Sequence, residues 1–191
     1  MHKILDNLCF WKNGVVVVEE AACRRNVTYD NGFRRQTYYL SLPKIIFRIN
    51  YNIVDGEYKY NSSYSFVVDD NSSHVYLSPL YNIGRYGKVC LGERSFFHKD
   101  LNEFVFIYLN KYWKNSFNDD LIGSNSFYFG KDCGKFFTWE KKTKEDKKWV
   151  PSDNDLVIYD DFRWFKFLRK GFKKAICSAH GLNFPINQPR Y

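Results

Sequence analysis

The sequence predicts an α+β domain in which antiparallel strands come first and helices follow. In the first half, short runs of β-branched and aromatic residues alternate with turn signals, which favours a strand meander over crossover units. An irregular stretch, residues 79–97, then predicts a long loop. After this loop, apolar residues recur at the helical period from Leu101 to Trp113 and predict a long helix.

The strands of the first half are predicted at residues 15–23, 36–42, 44–52, 58–68 and 74–77. A polar loop with an Asn31-Gly32 turn signal separates the first two strands. In the strand at 44–52, successive side chains alternate in the manner of a half-buried strand. These short strands with tight turns predict an antiparallel sheet.

Two helices are predicted in the second half. Asp100, followed three residues later by Glu103, gives the first helix a start that resembles a capping box. The second helix is expected at residues 161–177, where one apolar stripe contains Phe165, Leu168, Phe172 and Ile176. Gly171 weakens this second helix by roughly 1 kcal/mol relative to alanine.

A single domain, residues 1–191, is expected, with residues 115–157 as an insertion between the two helices. Within the insertion, the charged run 141–148 predicts an exposed loop or hairpin turn, flanked by possible strands at 127–129 and 135–139. Apolar residues make up 45% of the 191 residues and aromatic residues 20%. A chain of this length and composition can bury a core without disulfides or metal.

The formal net charge is +8, from 29 basic and 21 acidic residues. This charge favours an acidic partner such as nucleic acid, an anionic membrane or an acidic protein, although a solvated basic surface explains it equally well. The five cysteines are scattered and none has C-x-x-C spacing, so neither a zinc ribbon nor a redox dithiol is indicated.

An odd number of cysteines and a polar N-terminus indicate a reducing cytoplasm rather than secretion. The longest aliphatic run, Val15 to Val18, is too short to span a membrane. The sequence therefore predicts a soluble cytoplasmic protein without a membrane segment.

The long loop carries the most informative motif. Asn82 is followed by Gly87 and then by Cys90, which lies between Val89 and Leu91. This register resembles the active-site loop of ubiquitin-conjugating enzymes, where His-Pro-Asn precedes a turn, a glycine and the thioester-forming cysteine. The resemblance implies a ubiquitin-conjugating-like fold, with the meander before the loop and the long helix after it.

Leu80 and Tyr81 replace the His-Pro of that pattern. The closer resemblance is to the prokaryotic ubiquitin-conjugating-like family D, which includes protein B of the PRTRC cassettes of plasmids and phages. Shared features are a Pro-x-x-Asn loop, a Gly-x-x-Cys-x-Gly turn and an aromatic-rich helix that ends near a phenylalanine. The resemblance covers roughly residues 43–117.

The resemblance implies that Cys90 and Asn82 are the catalytic residues. Cys90 would carry a ubiquitin-like protein as a thioester, received from an adenylating enzyme, and pass it to an amine. Asn82 would either donate to the oxyanion or brace the loop. No metal or organic cofactor is implied. Without this register, Cys90 would be read as an inert buried residue and Asn82 as an ordinary turn residue.

Other reactive side chains give weaker signals. We interpret His98 as a surface residue beside the predicted helix. No histidine forms a motif with Cys90 in the sequence, which disfavours a cysteine protease. Asp119 or Asp120 would be the candidates for an acidic group near an attacking lysine. No P-loop and no compelling pair of carboxylates is present in the sequence.

Two alternatives to thioester transfer stay open. A catalytically inactive ubiquitin-conjugating-like domain would bind ubiquitin-like proteins without chemistry, and the missing His-Pro favours it. The other alternative is a nucleic-acid-associated protein, because basic and aromatic residues are interleaved near the C-terminus. The basic residues of that stretch are Arg163, Lys166, Arg169, Lys170, Lys173 and Lys174.

Overall fold

The computed structural model describes residues 8–12, 14–68, 75–84, 87–92, 95–118, 136–152 and 154–158. In this part of the chain the strands are β1 Leu8–Lys12, β2 Val15–Glu20, β3 Cys23–Asp30, β4 Arg35–Leu42, β5 Ile45–Val54, β6 Glu57–Val68, β7 Val75–Leu77 and β8 Phe97–His98. The helices are α1 Leu101–Lys114 and α2 Phe136–Glu145. The α+β class predicted from the sequence is confirmed.

The main sheet has the strand order β1-β2-β5-β6-β7, and the short strand β8 pairs with β6. Every strand pair in the described residues is antiparallel, as predicted. The meander is interrupted, however, because β3 and β4 form a separate hairpin between β2 and β5. Strands β2 and β5 are therefore neighbours in the sheet although a whole hairpin separates them along the chain.

The predicted strand at 15–23 was wrong in extent, because β2 ends at Glu20 and Cys23 already begins β3. Residues 24–30, expected in a polar loop, belong to β3, whose polar side chains are mostly only partly buried. A hairpin that stands outside the main sheet tolerates such residues on its solvated face. The Asn31-Gly32 turn is confirmed, since Asn31 Oδ1 accepts from the amide of Arg34 at 2.9 Å.

Helix α1 lies on the main sheet, as its apolar period predicts. The ring of Phe47 on β5 contacts those of Tyr108 and Tyr112, with centroids 5.7 and 4.8 Å apart. The predicted helix start is also confirmed, because Asp100 Oδ1 accepts from the amides of Asn102 and Glu103 at 2.8 and 2.9 Å. This helix and the sheet enclose the main hydrophobic core.

Helix α2 corrects two expectations, the strand at 135–139 and the exposed loop or turn at 141–148. Phe136, Trp139 and Thr143 lie at helical spacing and are all buried. The mean hydropathy of α2 is low and its charged run faces solvent, so its sequence alone only weakly favours a helix. Burial of one face against β4 stabilises the helical state. Only residues 146–148 follow the helix as a turn.

Side chains of α2 form hydrogen bonds with backbone groups on the outer edge of β4. The amide of Tyr39 donates to Glu140 Oε1 at 2.8 Å, and the amide of Ser41 donates to Thr143 Oγ1 at 3.1 Å. The indole of Trp139 in turn donates to the carbonyl of Ser41 at 2.9 Å. The helix thereby covers an edge that would otherwise present unpaired backbone groups.

Several predicted features lie outside the described residues. They are the helix at 161–177 with its basic residues, the strand at 127–129, His74, Asp119 and Asp120. Within the described residues, no helix has the length and apolar character needed to cross a membrane.

Candidate active site

Cys90 lies on a segment that is hydrogen-bonded on two sides. On one side, the amide of Val89 donates to the carbonyl of Ser63 in β6 at 2.9 Å. On the other side, the amide of Cys90 donates to the carbonyl of Asn82 at 2.8 Å. An antiparallel bridge between Ile83 and Val89 closes the loop at its base. The backbone around the thiol is therefore held in a defined position.

The side chains in this segment alternate between the core and solvent. Val89 and Leu91 are each 5% exposed, whereas Cys90 between them is exposed. An extended backbone sends successive side chains to opposite sides, so burial of the two neighbours directs the thiol outwards. Cys90 is accessible to a reaction partner, as a nucleophile must be.

Cys23 provides a contrast within the same chain. It lies at the start of β3, where it is only partly exposed. Burial raises the pKa of its thiol, and the positive charge of Arg25 only partly opposes the shift. Cys23 is therefore less accessible than Cys90, and burial disfavours its thiolate form.

Asn82 adopts the left-handed backbone conformation, with φ of 63°, a conformation that asparagine tolerates better than most residues. Its side-chain amide binds the backbone that follows α1. Asn82 Nδ2 donates to the carbonyl of Ser116 at 2.9 Å, and the amide of Asn118 donates to Asn82 Oδ1 at 3.0 Å. The side chain thus braces the loop against residues 116–118.

The same short segment binds the β3–β4 hairpin on its other side. The amide of Phe117 donates to the carbonyl of Thr28 at 2.8 Å, and the amide of Asp30 donates to the carbonyl of Phe117 at 2.8 Å. Phe117 itself is 1% exposed. A continuous set of hydrogen bonds therefore joins the Cys90 loop, through Asn82 and Phe117, to the hairpin.

Gly87 allows the loop to approach the sheet. Its φ of 79° favours glycine, and a Cβ at this position would lie 2.7 Å from Phe66 Cε1 and 3.0 Å from the carbonyl oxygen of Ser65. The glycine of the motif is thus explained by conformation and by close packing against β6.

Leu80 and Tyr81, which replace the His-Pro of the resembled loop, belong to the core. Leu80 is fully buried and Tyr81 is 8% exposed. The ring of Tyr81 contacts Phe136 of α2 at 4.4 Å and Tyr29 of β3 at 5.5 Å between centroids. These two residues fix the start of the loop by apolar packing.

Sequence reasoning missed Tyr60 and Ser63. Both lie on β6 below the loop, and their side-chain oxygens are 3.0 Å apart. Burial raises the pKa of the Tyr60 phenol, the Ser63 hydrogen bond opposes this, and negative charge at Cys90 and Tyr64 adds to it. Side chains three residues apart on a regular strand point to opposite faces. The register shift in β6, where Tyr60 pairs with Tyr51 and Ser62 pairs with Asn50, brings Tyr60 and Ser63 to the same face.

His98 serves the start of α1, because the amide of Asp100 donates to its Nδ1 at 3.1 Å. Among the residues that the structure describes, no group of three or more His, Cys, Asp or Glu side chains is placed to hold a metal ion. The chemistry that the described site can support is that of an accessible thiol on a braced loop.

Three comparisons with known proteins found no match to this chain, whether with protein-family models, with curated proteins or with solved structures.

Proposed function

We propose that this protein has a fold like that of the ubiquitin-conjugating enzymes and carries a ubiquitin-like protein as a thioester on Cys90. The observation that carries the proposal is the exposure of Cys90 between two buried neighbours, on a segment whose backbone is hydrogen-bonded to Ser63 and to Asn82. The Asn82, Gly87 and Cys90 register supports it, because each of these residues has a distinct structural task in the loop.

The reaction requires a thiolate and an activated acyl group. The Cys90 sulfur attacks the carbonyl carbon of an acyl adenylate, a C–S bond forms, the C–O bond to the phosphate breaks, and AMP leaves. An acceptor amine then attacks the thioester carbon, an amide forms, and the Cys90 thiol is released. ATP is consumed by the adenylating partner, so this chain requires only the thiol and a suitable electrostatic environment.

Bracing is the role that we propose for Asn82, since both its side-chain oxygen and its side-chain nitrogen bind the backbone at residues 116–118. An amide nitrogen carries two hydrogens, and the bond to Ser116 uses one of them. The bracing role is therefore compatible with donation of the second hydrogen to an oxyanion during transfer.

The test uses the cognate adenylating enzyme and ubiquitin-like protein, with ATP, and the neighbouring genes are the place to search for both. A thiol-sensitive adduct should form on the wild-type chain and be absent from Cys90→Ser. Cys23→Ser is the matched control and should form the adduct at the wild-type rate, because Cys23 is partly buried. Absence of an adduct with active partners, or persistence of a thiol-sensitive adduct in Cys90→Ser, would contradict the proposal.

A binding module without chemistry is the second candidate. It is favoured by the burial of Leu80 and Tyr81 and by the structural bonds of the Asn82 side chain, all of which serve the fold without any catalytic role. On this alternative the ubiquitin-like protein binds equally well to the wild type and to Cys90→Ser, as measured by calorimetry, and no thioester forms.

A further inference from the structure

Two exposed side chains that can act as nucleophiles lie on the Cys90 loop, separated by one buried residue. Lys88 and Cys90 are exposed, whereas Val89 between them is 5% exposed. The burial of Gly87 and Leu91 continues the same alternation on both sides. In an extended backbone, residues i and i+2 direct their side chains to the same side. The Lys88 amine and the Cys90 thiol therefore share one solvent-facing side of the loop.

Backbone hydrogen bonds hold this pair in position. The amide of Gly84 donates to the carbonyl of Lys88 at 2.6 Å, and the amide of Cys90 donates to the carbonyl of Asn82 at 2.8 Å. Lys88 also forms an antiparallel bridge with Tyr64 of β6. Because an extended chain rises by about 3.3–3.4 Å per residue, the Cα atoms of residues 88 and 90 are about 7 Å apart.

The lysine side chain is long enough to reach the thiol. Its flexible four-carbon stem is comparable in length to the separation of the two Cα atoms. Lys88 forms no ion pair with any residue that the structure describes, so no described carboxylate holds its amine away from residue 90. An acyl group on the Cys90 sulfur would lie within reach of this amine without any movement of the backbone.

We propose that Lys88 is an intramolecular acceptor for acyl groups carried on Cys90, so that the chain modifies itself at this lysine. First, the Cys90 thiolate attacks the carbonyl carbon of a donor thioester, a C–S bond forms, and the donor thiol leaves. The neutral Lys88 amine then attacks the same carbonyl carbon. A C–N bond forms, the C–S bond to Cys90 breaks, and the proton lost by the nitrogen passes through solvent to the released sulfur.

Proximity favours this transfer over attack by an amine from solution. Two reacting groups on one fixed segment convert a bimolecular step into a unimolecular one, although a flexible lysine gains only part of that advantage. The substrate class is the acyl thioester. The inference rests on the proposed function only in requiring that Cys90 becomes acylated. A large acyl group on Lys88 would also lie beside the thiol and hinder a second acylation.

The test supplies the acyl group to the full chain from S-phenyl thioacetate, a small thioester, at about pH 8 and without any partner protein. Mass spectrometry of peptides follows the acetyl group at Cys90, at Lys88 and at Lys141, an exposed lysine of α2. We expect a thioester on Cys90 first and an amide on Lys88 afterwards. Acetylation of Lys88 should be about tenfold faster than that of Lys141, and Cys90→Ala should reduce it to the Lys141 rate.

Lys88→Arg is the matched variant, because arginine keeps the positive charge at this exposed position while its guanidinium stays protonated. The acetyl thioester on Cys90 should persist about three- to tenfold longer in this variant than in the wild type. Equal acetylation of Lys88 in the wild type and Cys90→Ala, or equal thioester lifetimes in the wild type and Lys88→Arg, would overturn the inference.

The outcomes also separate this inference from the proposed function. A Cys90 thioester that never passes to Lys88 would overturn the inference while agreeing with the proposed function. Absence of any acetyl group on Cys90 would contradict both.

Discussion

Asn82 Nδ2 donates to the carbonyl oxygen of Ser116 at 2.9 Å, although 34 residues separate the two along the chain. This contact joins the loop before α1 to the segment after it. Asn118 completes the arrangement by donating to Asn82 Oδ1 at 3.0 Å. Because Phe117, between these two residues, binds β3 through its own backbone, one side chain connects the Cys90 loop to two separate parts of the fold.

Replacement of Asn82 tests this brace. Asn82→Ala removes two hydrogen bonds and places a Cβ-bearing residue without a polar side chain at a φ of 63°. We expect the free energy of unfolding to fall by about 3–4 kcal/mol, from about 1 kcal/mol for each of the two hydrogen bonds and about 1–2 kcal/mol of backbone strain. Urea denaturation measures the change.

Asn82→Gly separates the two contributions to this loss. Glycine tolerates the positive φ, so only the hydrogen bonds are lost and the variant should be more stable than Asn82→Ala. An Asn82→Ala variant as stable as the wild type would show that the brace contributes nothing.

Replacement of Gly87 tests whether the Cys90 loop must approach the sheet closely. Gly87→Ala introduces a methyl group 2.7 Å from Phe66 Cε1, in addition to the strain of a φ of 79°. We expect a loss of about 2–4 kcal/mol in the free energy of unfolding, and faster proteolysis of the loop. Gly92→Ala is the matched control, since its φ is 72° and no atom lies within 4 Å of the added methyl group.

The difference in the free energy of unfolding between Gly87→Ala and Gly92→Ala measures the cost of close packing separately from the cost of backbone strain. Gly92→Ala should cost only about 1 kcal/mol. Equal losses in the two variants would mean that Phe66 moves aside freely and that the close approach at Gly87 is unimportant.

Replacement of Arg24, on β3, tests how α2 is attached to the β3–β4 hairpin. Its guanidinium donates to the carbonyls of Thr143 and Asp146 at 3.1 Å each, and also to that of Lys147. The carbonyl of Thr143 lies in the last turn of α2, and those of Asp146 and Lys147 directly follow the helix. Arg24→Ala should lower the free energy of unfolding by about 1–3 kcal/mol and increase hydrogen exchange at the C-terminal turn of α2.

Arg35→Ala is the control for charge alone, because Arg35 is 75% exposed and only 3.9 Å from Asp30. It should change the stability by less than about 0.5 kcal/mol. Arg24→Lys keeps the charge but lacks the planar fork, so it should recover only part of the loss. Similar stability of Arg24→Ala and Arg35→Ala would refute the proposed attachment.

The burial of Glu20 predicts that the free energy of unfolding depends on pH in a specific direction. Its pKa is raised, chiefly by burial, although Arg25 and the Trp113 indole, which donates to Glu20 Oε2 at 2.6 Å, oppose the shift. The folded state therefore binds a proton more tightly than the unfolded state does. This contribution to stability is complete below the ordinary pKa of glutamate and is lost as the pH rises through the folded value.

Glu20→Gln removes this titration while keeping an oxygen that can accept from Trp113. The free energy of unfolding of the wild type minus that of Glu20→Gln should decrease as the pH rises from 4 to 8, as measured by denaturation at each pH. A difference that stays constant or increases with pH would contradict the predicted sign.

The long helix and most strands of the main sheet could be predicted from local pattern. The period from Leu101 to Trp113 and the cap at Asp100 specify α1 because both signals act within a few residues. Similarly, the strand predicted at 44–52 corresponds to β5 Ile45–Val54. By contrast, α2 has a low apolar content and a charged run, and its helical state depends on β4, which is distant in sequence.

For the candidate site, the sequence by itself determined which residues have the right chemistry and order: Asn82, Gly87 and Cys90 in one loop before a helix. Only the tertiary structure decided that Cys90 is exposed and that the Asn82 amide binds residues 116–118. The physical reason is that exposure, hydrogen-bond partners and electrostatic neighbours arise from segments brought together by burial of the core, and local sequence periodicity carries no record of those contacts.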